Sequence, residues 1–300
     1  MRVAVFFTFD YSFQTWKESG TLEREMRIFD ELNKKYGYEF IFFSYGDSTD
    51  SALMDDSIHS VIPIYSKYFR FSSKILRFLH SFLLPFYLKK HLKKVDILYQ
   101  NQLFGSWVPI LVKVFFRNKL VIRTGYDMLD FAKNNNKKLY IINFYKFLLK
   151  ISINYSNLFY VSNKTDMDRY KVQHKNNFSK ILLRQNWVER KCFNKFEDRF
   201  DNRILSVGRL ESQKNYKYLI SEFKNTKGKY IIDIVGHGSE LENLQKLSDA
   251  LNVEVNFINQ LKFEDLNKLY SNYRYFISSS TFEGNPKTLL EALSNECAVF

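Results

Sequence analysis

Two acids eight positions apart, Glu283 and Glu291, bracket a Gly284-Asn285-Pro286-Lys287-Thr288 turn and the start of a helix. The run Ser278-Ser279-Ser280 ahead of them reads as a strand end, so the order is strand, Gly/Pro turn, helix. That spacing puts Glu283 at the helix mouth and Glu291 one to two turns inside. Carboxylates so placed accept hydrogen bonds from neighbouring hydroxyls, the chemistry that sugar and ribose rings require. The amides of Lys287 and Thr288, at the helix N-terminus, can face a phosphate. Two acids alone do not separate this reading from a solvated loop acid and a helix-favouring one.

Further chemistry lies upstream. In Ile204-Leu205-Ser206-Val207-Gly208-Arg209 a strand ends in a glycine and a cation, and Lys214 follows five positions later. Ligands of open α/β sheets sit beyond the carboxyl ends of strands. Gly208 lets backbone approach a ligand there, while Arg209 and Lys214 can neutralise a diphosphate, Arg in bidentate fashion and Lys as a point charge. Two solvated cations are the alternative. A second buried strand, Ile231 to Val235, ends in Gly236-His237-Gly238 and opens a helix whose amides can bind an anion. The dinucleotide fingerprint needs a third glycine where Leu241 stands, so a nicotinamide site is not indicated. His237 reads as a turn residue.

The elements that must carry these groups follow from periodicity. Short apolar runs at Val3–Phe7, Glu39–Phe43, Ile97–Tyr99, Leu120–Arg123 and Leu158–Val161 alternate with helix-like segments, the pattern of βαβ units feeding a parallel sheet. Thr21–Lys35 is one such helix, with Leu22, Met26, Phe29 and Leu32 on one face. The pattern resumes at Arg203–Val207, Tyr230–Val235, Glu254–Phe257 and Tyr275–Ser278. The mixed-charge stretch Glu189–Asn202 between them reads as a linker. The chain therefore reads as α/β with two Rossmann-like domains, residues 1–199 and 200–300.

Composition narrows the function classes. Of 300 residues 45% are hydrophobic, enough for two medium cores, and the net charge of +13 implies attraction to polyanions. Cys192 and Cys297 have no His or Cys neighbours at metal-ligand spacing, so neither a disulfide framework nor a zinc site is expected. The N-terminal run is too short for a signal peptide, and no stretch approaches the roughly 18 apolar residues of a membrane span. A cytoplasmic setting follows as an expectation, and the Lys, Asn, Ile, Phe and Tyr usage suggests a bacterial source. Residues 67–94 carry Lys67, Arg70, Lys74, Arg77, Lys89, Lys90, Lys93 and Lys94 with no acid, interleaved with apolar residues. This pattern suits an anionic membrane surface, on the inner face of the plasma membrane, or a core helix with a solvated basic face. Pro85 argues against one continuous helix.

Arg209 with Lys214, the Gly236/Gly238 turn and Glu283 to Glu291 occur in the order and spacing of the retaining glycosyltransferases of family 4 (glycosyl transferases group 1), which the chain resembles. The resemblance implies the GT-B fold: two Rossmann-like domains with parallel sheets facing across a cleft, the acceptor side first and the donor side second. It implies that Arg209 and Lys214 contact the donor's diphosphate, that Glu291 holds the nucleotide ribose, and that Glu283 and nearby amides hold the transferred hexose. The implied catalytic set is Glu283, Arg209 and Lys214. The implied donor-binding set is Gly20, Gly208, Gly236, Gly238, Gly284, Asn285, Pro286, Lys287, Thr288 and Glu291. Gly20 enters because Trp16 to Glu23 resembles the family's glycine loop. Ser162 and Asn186 resemble landmarks near the end of the first domain, with Trp187 where glycine is common.

Other features depart from the family. Arg123-Thr124-Gly125-Tyr126-Asp127 stands where many relatives have a His-Asp pair, which leaves the roles of Arg123 and Asp127 open. The chain stops soon after the Glu291 helix, so the second domain is expected to be incomplete. The implied reaction moves a hexosyl unit from a nucleotide diphosphate sugar to a lipid-linked or cell-surface polysaccharide acceptor, with retention. No Asp-x-Asp donor loop occurs, so neither an essential metal nor a further cofactor is expected. The alternatives are a nucleotide-sugar-binding protein without turnover and a basic nucleic-acid-binding protein. No recognisable nucleic-acid motif supports the second, and nucleic acid is not an expected partner.

Overall fold

The structure, a computed structural model, describes residues 1–55, 57–188, 194–226 and 229–300. Much of the expected linker, 189–193 with Cys192, lies outside the described residues. The chain forms two compact units, Met1–Gln185 and Asn186–Phe300.

The first unit runs β1 (Arg2–Phe6), α1 (Phe13–Glu18), α2 (Leu22–Tyr36), β2 (Glu39–Ser44), α3 (Ser48–Ala52), β3 (Ser60–Pro63), α4 (Lys74–Ser81) and α5 (Leu84–Leu92). It continues through β4 (Ile97–Gln100), α6 (Trp107–Phe116), β5 (Lys119–Thr124), α7 (Met128–Asn134), α8 (Leu139–Tyr155), β6 (Leu158–Val161), α9 (Lys164–Gln173) and β7 (Ile181–Leu183). Its seven strands are parallel in the order β3-β2-β1-β4-β5-β6-β7. The central strands are apolar on both faces, as a sheet covered by helices on each side requires. α2 buries Met26 and Phe29 against it and ends at Gly37, whose φ of 66° is the left-handed cap that glycine adopts without a Cβ clash. The basic stretch 67–94 is two helices, α4 and α5, and Pro85 sits in the first turn of α5, where its missing N–H costs nothing.

The second unit runs β8 (Phe200–Val207), α10 (Tyr216–Phe223), β9 (Ile231–Val235), α11 (Leu241–Leu251), β10 (Val255–Ile258), α12 (Phe263–Tyr270), β11 (Tyr273–Phe276), α13 (Lys287–Ser294) and β12 (Ala298–Val299). Its parallel order is β10-β9-β8-β11-β12, so chain direction across the sheet reverses between β8 and β11. A buried carboxylate ties four strands together. Asp233 on β9 accepts two hydrogen bonds from Arg203 on β8 at 2.7 and 2.6 Å, one from Asn256 on β10 at 2.8 Å and one from Tyr273 on β11 at 2.8 Å. Burial alone would raise the Asp233 carboxyl, but these donors outweigh it and hold it below the usual carboxylate range.

The units divide earlier than residue 200 because the segment before β8 is bound into the second unit. Asn194 donates to Asn272 at 2.6 Å, and the buried Arg199 guanidinium donates to the carbonyls of Asn194 and Asn295 at 2.8 and 2.7 Å. A mixed-charge stretch thus belongs to a fold because its cation satisfies buried carbonyls.

Candidate functional site

In open parallel sheets the crevice for a ligand forms where the strand order reverses, beyond the carboxyl ends. In the second unit that point lies between β8 and β11. The loops leaving these strands are the two that hold the sequence's charged residues. Lys214, in the turn after β8, forms an ion pair with Glu283, in the loop after β11, at 2.5 Å. Further hydrogen bonds lace the loops. Ser279 Oγ donates to the Lys214 carbonyl at 2.8 Å, the Thr281 amide to the Gln213 carbonyl at 3.0 Å, and Gln213 Nε2 to the Phe282 carbonyl at 3.0 Å. Groups 69 residues apart in sequence are thus fixed side by side. Arg209 lies exposed at the end of β8, and its guanidinium makes no hydrogen bond or ion pair within the described residues.

The glycines of this edge have a backbone role. A Cβ on Gly236, whose φ is +154°, would fall 2.0 Å from the Gly208 carbonyl oxygen. A Cβ on Gly238 would fall 2.4 Å from the Leu210 carbonyl oxygen. These two glycines therefore let the β8 and β9 exit loops pack backbone to backbone, an arrangement sealed by Leu210 N–H donating to the His237 carbonyl at 2.9 Å. His237 is an exposed turn residue here. At Gly208 a Cβ would meet the Tyr216 hydroxyl at 2.9 Å and Lys214 Cε at 3.0 Å, so this glycine makes room for the Lys214 stem.

α13 starts at Lys287 after Pro286, with no side chain capping its N-terminus, and Thr288 follows in its first turn. Gly284 is exposed and Asn285 half-buried in the approach loop. The Asn285 carbonyl accepts a hydrogen bond from Asn186 Nδ2 at 2.5 Å, so the Asn186 landmark has a physical role in pinning the loop that leads into α13. Trp187 beside it is exposed. Glu291 lies on the buried side of α13, where the Tyr270 hydroxyl donates to its Oε2 at 3.4 Å and to the Thr288 carbonyl at 3.2 Å. Neither Gln213 nor Tyr270 is legible from sequence: the first sits in a polar turn, and the second reads as one more apolar position of α12.

In the first unit, Gly20 has φ 62° and closes the turn between α1 and α2, its amide bonded to the Lys17 carbonyl at 3.0 Å. Asp50, fully buried, accepts the Phe13 and Gln14 amides at 3.1 and 2.9 Å and so anchors the start of α1 that leads to this turn. Ser162 Oγ donates to the Gly125 carbonyl at 2.8 Å, steadying the loop after β5. Arg123 lies half-buried on β5. Asp127 caps α7, accepting the Leu129 and Asp130 amides at 2.7 and 3.1 Å. Asp127, Asp130 and Asp166 bring carboxylates within 4.8 Å of one another, a grouping able to hold a cation, and Arg169 is bonded to all three. Arg169 supplies the charge such a group requires.

Comparison with known proteins bears on the same edge. Residues 188–300 match the family model described as "Glycosyl transferases group 1". A 117-residue stretch is 32% identical to the UDP-N-acetylglucosamine–peptide N-acetylglucosaminyltransferase GtfA subunit of Streptococcus agalactiae, covering 38% of this chain and 21% of that protein. A 97-residue stretch is 35% identical to lipopolysaccharide 1,6-galactosyltransferase of Salmonella typhimurium, covering 30% of this chain and 27% of that protein. The matching stretch thus spans about a fifth of the first relative and about a quarter of the second. Among solved structures, the lipopolysaccharide outer core galactosyltransferase WaaB in its apo form aligns with 100% of this chain and 80% of its own, with a TM-score of 0.68 and 20% identity. The chain thus has the two-sheet fold of a solved glycosyltransferase, and the segment that builds its second sheet matches the glycosyl transferases group 1 model.

Proposed function

We propose that the chain transfers a hexosyl unit from a nucleotide diphosphate sugar to a hydroxyl of a lipid-linked or cell-surface polysaccharide acceptor, with retention at the anomeric carbon. The observation that carries this reading is the meeting of Lys214 and Glu283 at the point where the sheet order reverses, 2.5 Å apart, with α13 opening beside them. In the reaction the bond from the anomeric carbon to the diphosphate breaks, the electron pair stays on the diphosphate, and the acceptor oxygen forms the new bond on that same face while its proton passes to the departing diphosphate oxygen. Negative charge grows on the leaving group. Arg209, Lys214 and the first amides of α13 stabilise it by preorganised electrostatics, commonly the largest single contribution to catalysis. Glu283 then turns from its lysine to the hexose hydroxyls, and Glu291 accepts hydrogen bonds from the ribose. With cations in this role, no essential metal and no further cofactor are required.

The donor and acceptor classes rest on the relatives, whose names specify UDP-N-acetylglucosamine in one case and lipopolysaccharide in the other. An acceptor carried on lipid or at the cell surface suits a chain that works against the inner face of an anionic membrane through residues 67–94, with no helix among the described residues long and apolar enough to cross it. The test is transfer of radiolabelled sugar from a panel of UDP- and GDP-sugars to lipid-extracted acceptor. Labelled product that survives chelator and disappears in Lys214→Ala is expected. A Glu291→Ala or Lys214→Ala protein with full activity would remove the site assignment.

A further inference from the structure

An amphipathic helix in a folded domain normally turns its apolar side inward; α5 does so, burying Leu84, Leu88 and Leu92 and leaving its lysines exposed, whereas α4 and the turn into α5 do the reverse. On α4, Arg77 and Phe78 face the protein. Arg77 forms a bidentate pair with Asp10 at 2.9 and 2.7 Å, and the Phe78 ring lies 5.0 Å from that of Trp107 and 6.1 Å from that of Phe144 on α8. With those positions inward, the helical period points Ile75, Leu76 and Leu79 to solvent, and the turn into α5 continues the stripe through Leu83 and Phe86. Ile75 is 72% exposed, Leu79 57% and Phe86 53%. Phe86 also reaches the neighbouring helix, its ring 4.9 Å from that of Phe115 on α6, itself exposed. A contiguous exposed apolar surface of this kind marks a docking site.

Its surroundings identify the occupant. Residues 67–165 hold eighteen Lys and Arg against three acids, Asp96, Asp127 and Asp130, a net +15, while the whole chain is +13. The remainder of the protein is therefore slightly acidic, and the entire positive excess sits on the part that exposes the apolar stripe. Lys74, Lys89, Lys90, Lys93 and Lys94 flank it and are all exposed. An apolar strip rimmed by cations, with hardly an acid nearby, matches a bilayer with anionic headgroups in both layers of its chemistry: hydrocarbon for the stripe, phosphate for the lysines. A protein partner would have to match this basic rim with an acidic one, since complementary interfaces set positive patches against negative ones.

We infer that the first unit docks on an anionic lipid bilayer with the α4–α5 corner and Phe115 inserted at the headgroup–acyl boundary and the lysines of α5 seated on lipid phosphates. This deepens the membrane contact proposed above and names its surface, but it is read as lipid binding without donor, so its failure leaves the transfer reading standing.

The test is flotation of the whole chain with phosphatidylcholine vesicles with and without about 30 mol % phosphatidylglycerol, at about 0.1 M salt, where screening over about 10 Å leaves close contacts intact. Binding only to the anionic vesicles is expected. Ile75→Ser with Leu79→Ser should weaken it at least about tenfold with an unchanged melting temperature, since both side chains are exposed. Lys90→Gln, Lys93→Gln and Lys94→Gln together should remove the preference for the anionic lipid. Equal binding to both vesicle types, or vesicle binding untouched by the serine pair, would overturn the inference. So would a dimer of the wild type that the serine pair dissociates, since a second copy would then cover the stripe, or tighter binding to an oligonucleotide than to vesicles. If the serine pair melts early, the dependence of wild-type binding on anionic lipid content decides the matter alone.

Discussion

Gly236→Ala tests the finding that the glycines at the exits of β8 and β9 serve backbone packing. The new methyl would fall 2.0 Å from the Gly208 carbonyl oxygen, where real Cβ atoms stay beyond 3.0 Å, so the β8 and β9 exits must part by at least about 1 Å. Two bonds hold those exits together, Gly208 N–H to the Val235 carbonyl at 3.0 Å and Leu210 N–H to the His237 carbonyl at 2.9 Å. Losing one or both costs about 0.5–1.5 kcal/mol each. The +154° φ adds about 1–3 kcal/mol for a residue with a Cβ. The expected loss is therefore about 2–5 kcal/mol in urea unfolding, a large share of a typical domain's stability. Gly208→Ala is the contrast. Its methyl meets only the ends of Lys214 and Tyr216, which can swing away, so stability should fall by less than about 1 kcal/mol while diphosphate affinity falls as Lys214 is displaced. A Gly236→Ala protein within about 0.5 kcal/mol of wild type would refute the packing account.

Three further outcomes follow from side chains placed by the fold. Asp233→Ala leaves the Arg203 guanidinium without its carboxylate and should cost about 3 kcal/mol, measured by denaturant unfolding. Because the folded carboxyl is held below its unfolded value of about 3.9, its contribution is complete above that pH and fades as pH falls through the folded value; the wild type should lose stability in acid more steeply than the variant, and parallel curves would contradict this. Glu283→Gln frees Lys214 from its 2.5 Å ion pair, so free UDP should bind several-fold tighter while transfer falls, and unchanged UDP affinity would count against competition for that lysine. Tyr270→Phe removes the donor to Glu291 and the Thr288 carbonyl, and should raise the donor KM about three- to tenfold with kcat little changed; a fall in kcat alone would argue against a positioning role.

Much of the fold is legible in the sequence because strands of a covered parallel sheet are continuous apolar runs: β1, β2, β5, β6, β8 and β9 lie within a few residues of where those runs predict them. β3 and β7 escape because four and three residues, the first ending in Pro63, carry too little periodicity to read. The charged residues of the site are legible as types and spacing, but the Lys214–Glu283 pair joins positions 69 apart, and only the strand order, which periodicity does not encode, brings them together. The glycines are recognisable as special, yet their reason is not: ligand approach and backbone packing call for the same residue. The basic segment reads as amphipathic; α5 is the core helix with a solvated basic face, while the outward apolar side of α4 becomes visible only with Arg77 paired inward to Asp10.

The central claim is that the turn after β8 and the loop into α13 together hold a nucleotide diphosphate. Calorimetric titration of UDP into the wild type and into an Arg209→Ala, Lys214→Ala double variant, whose exposed or half-exposed side chains leave the cores intact, tests it most directly. Two lost charge-assisted contacts predict affinity weaker by about a hundredfold or more, with the melting temperature unchanged. UDP binding of equal strength in both proteins would contradict the account.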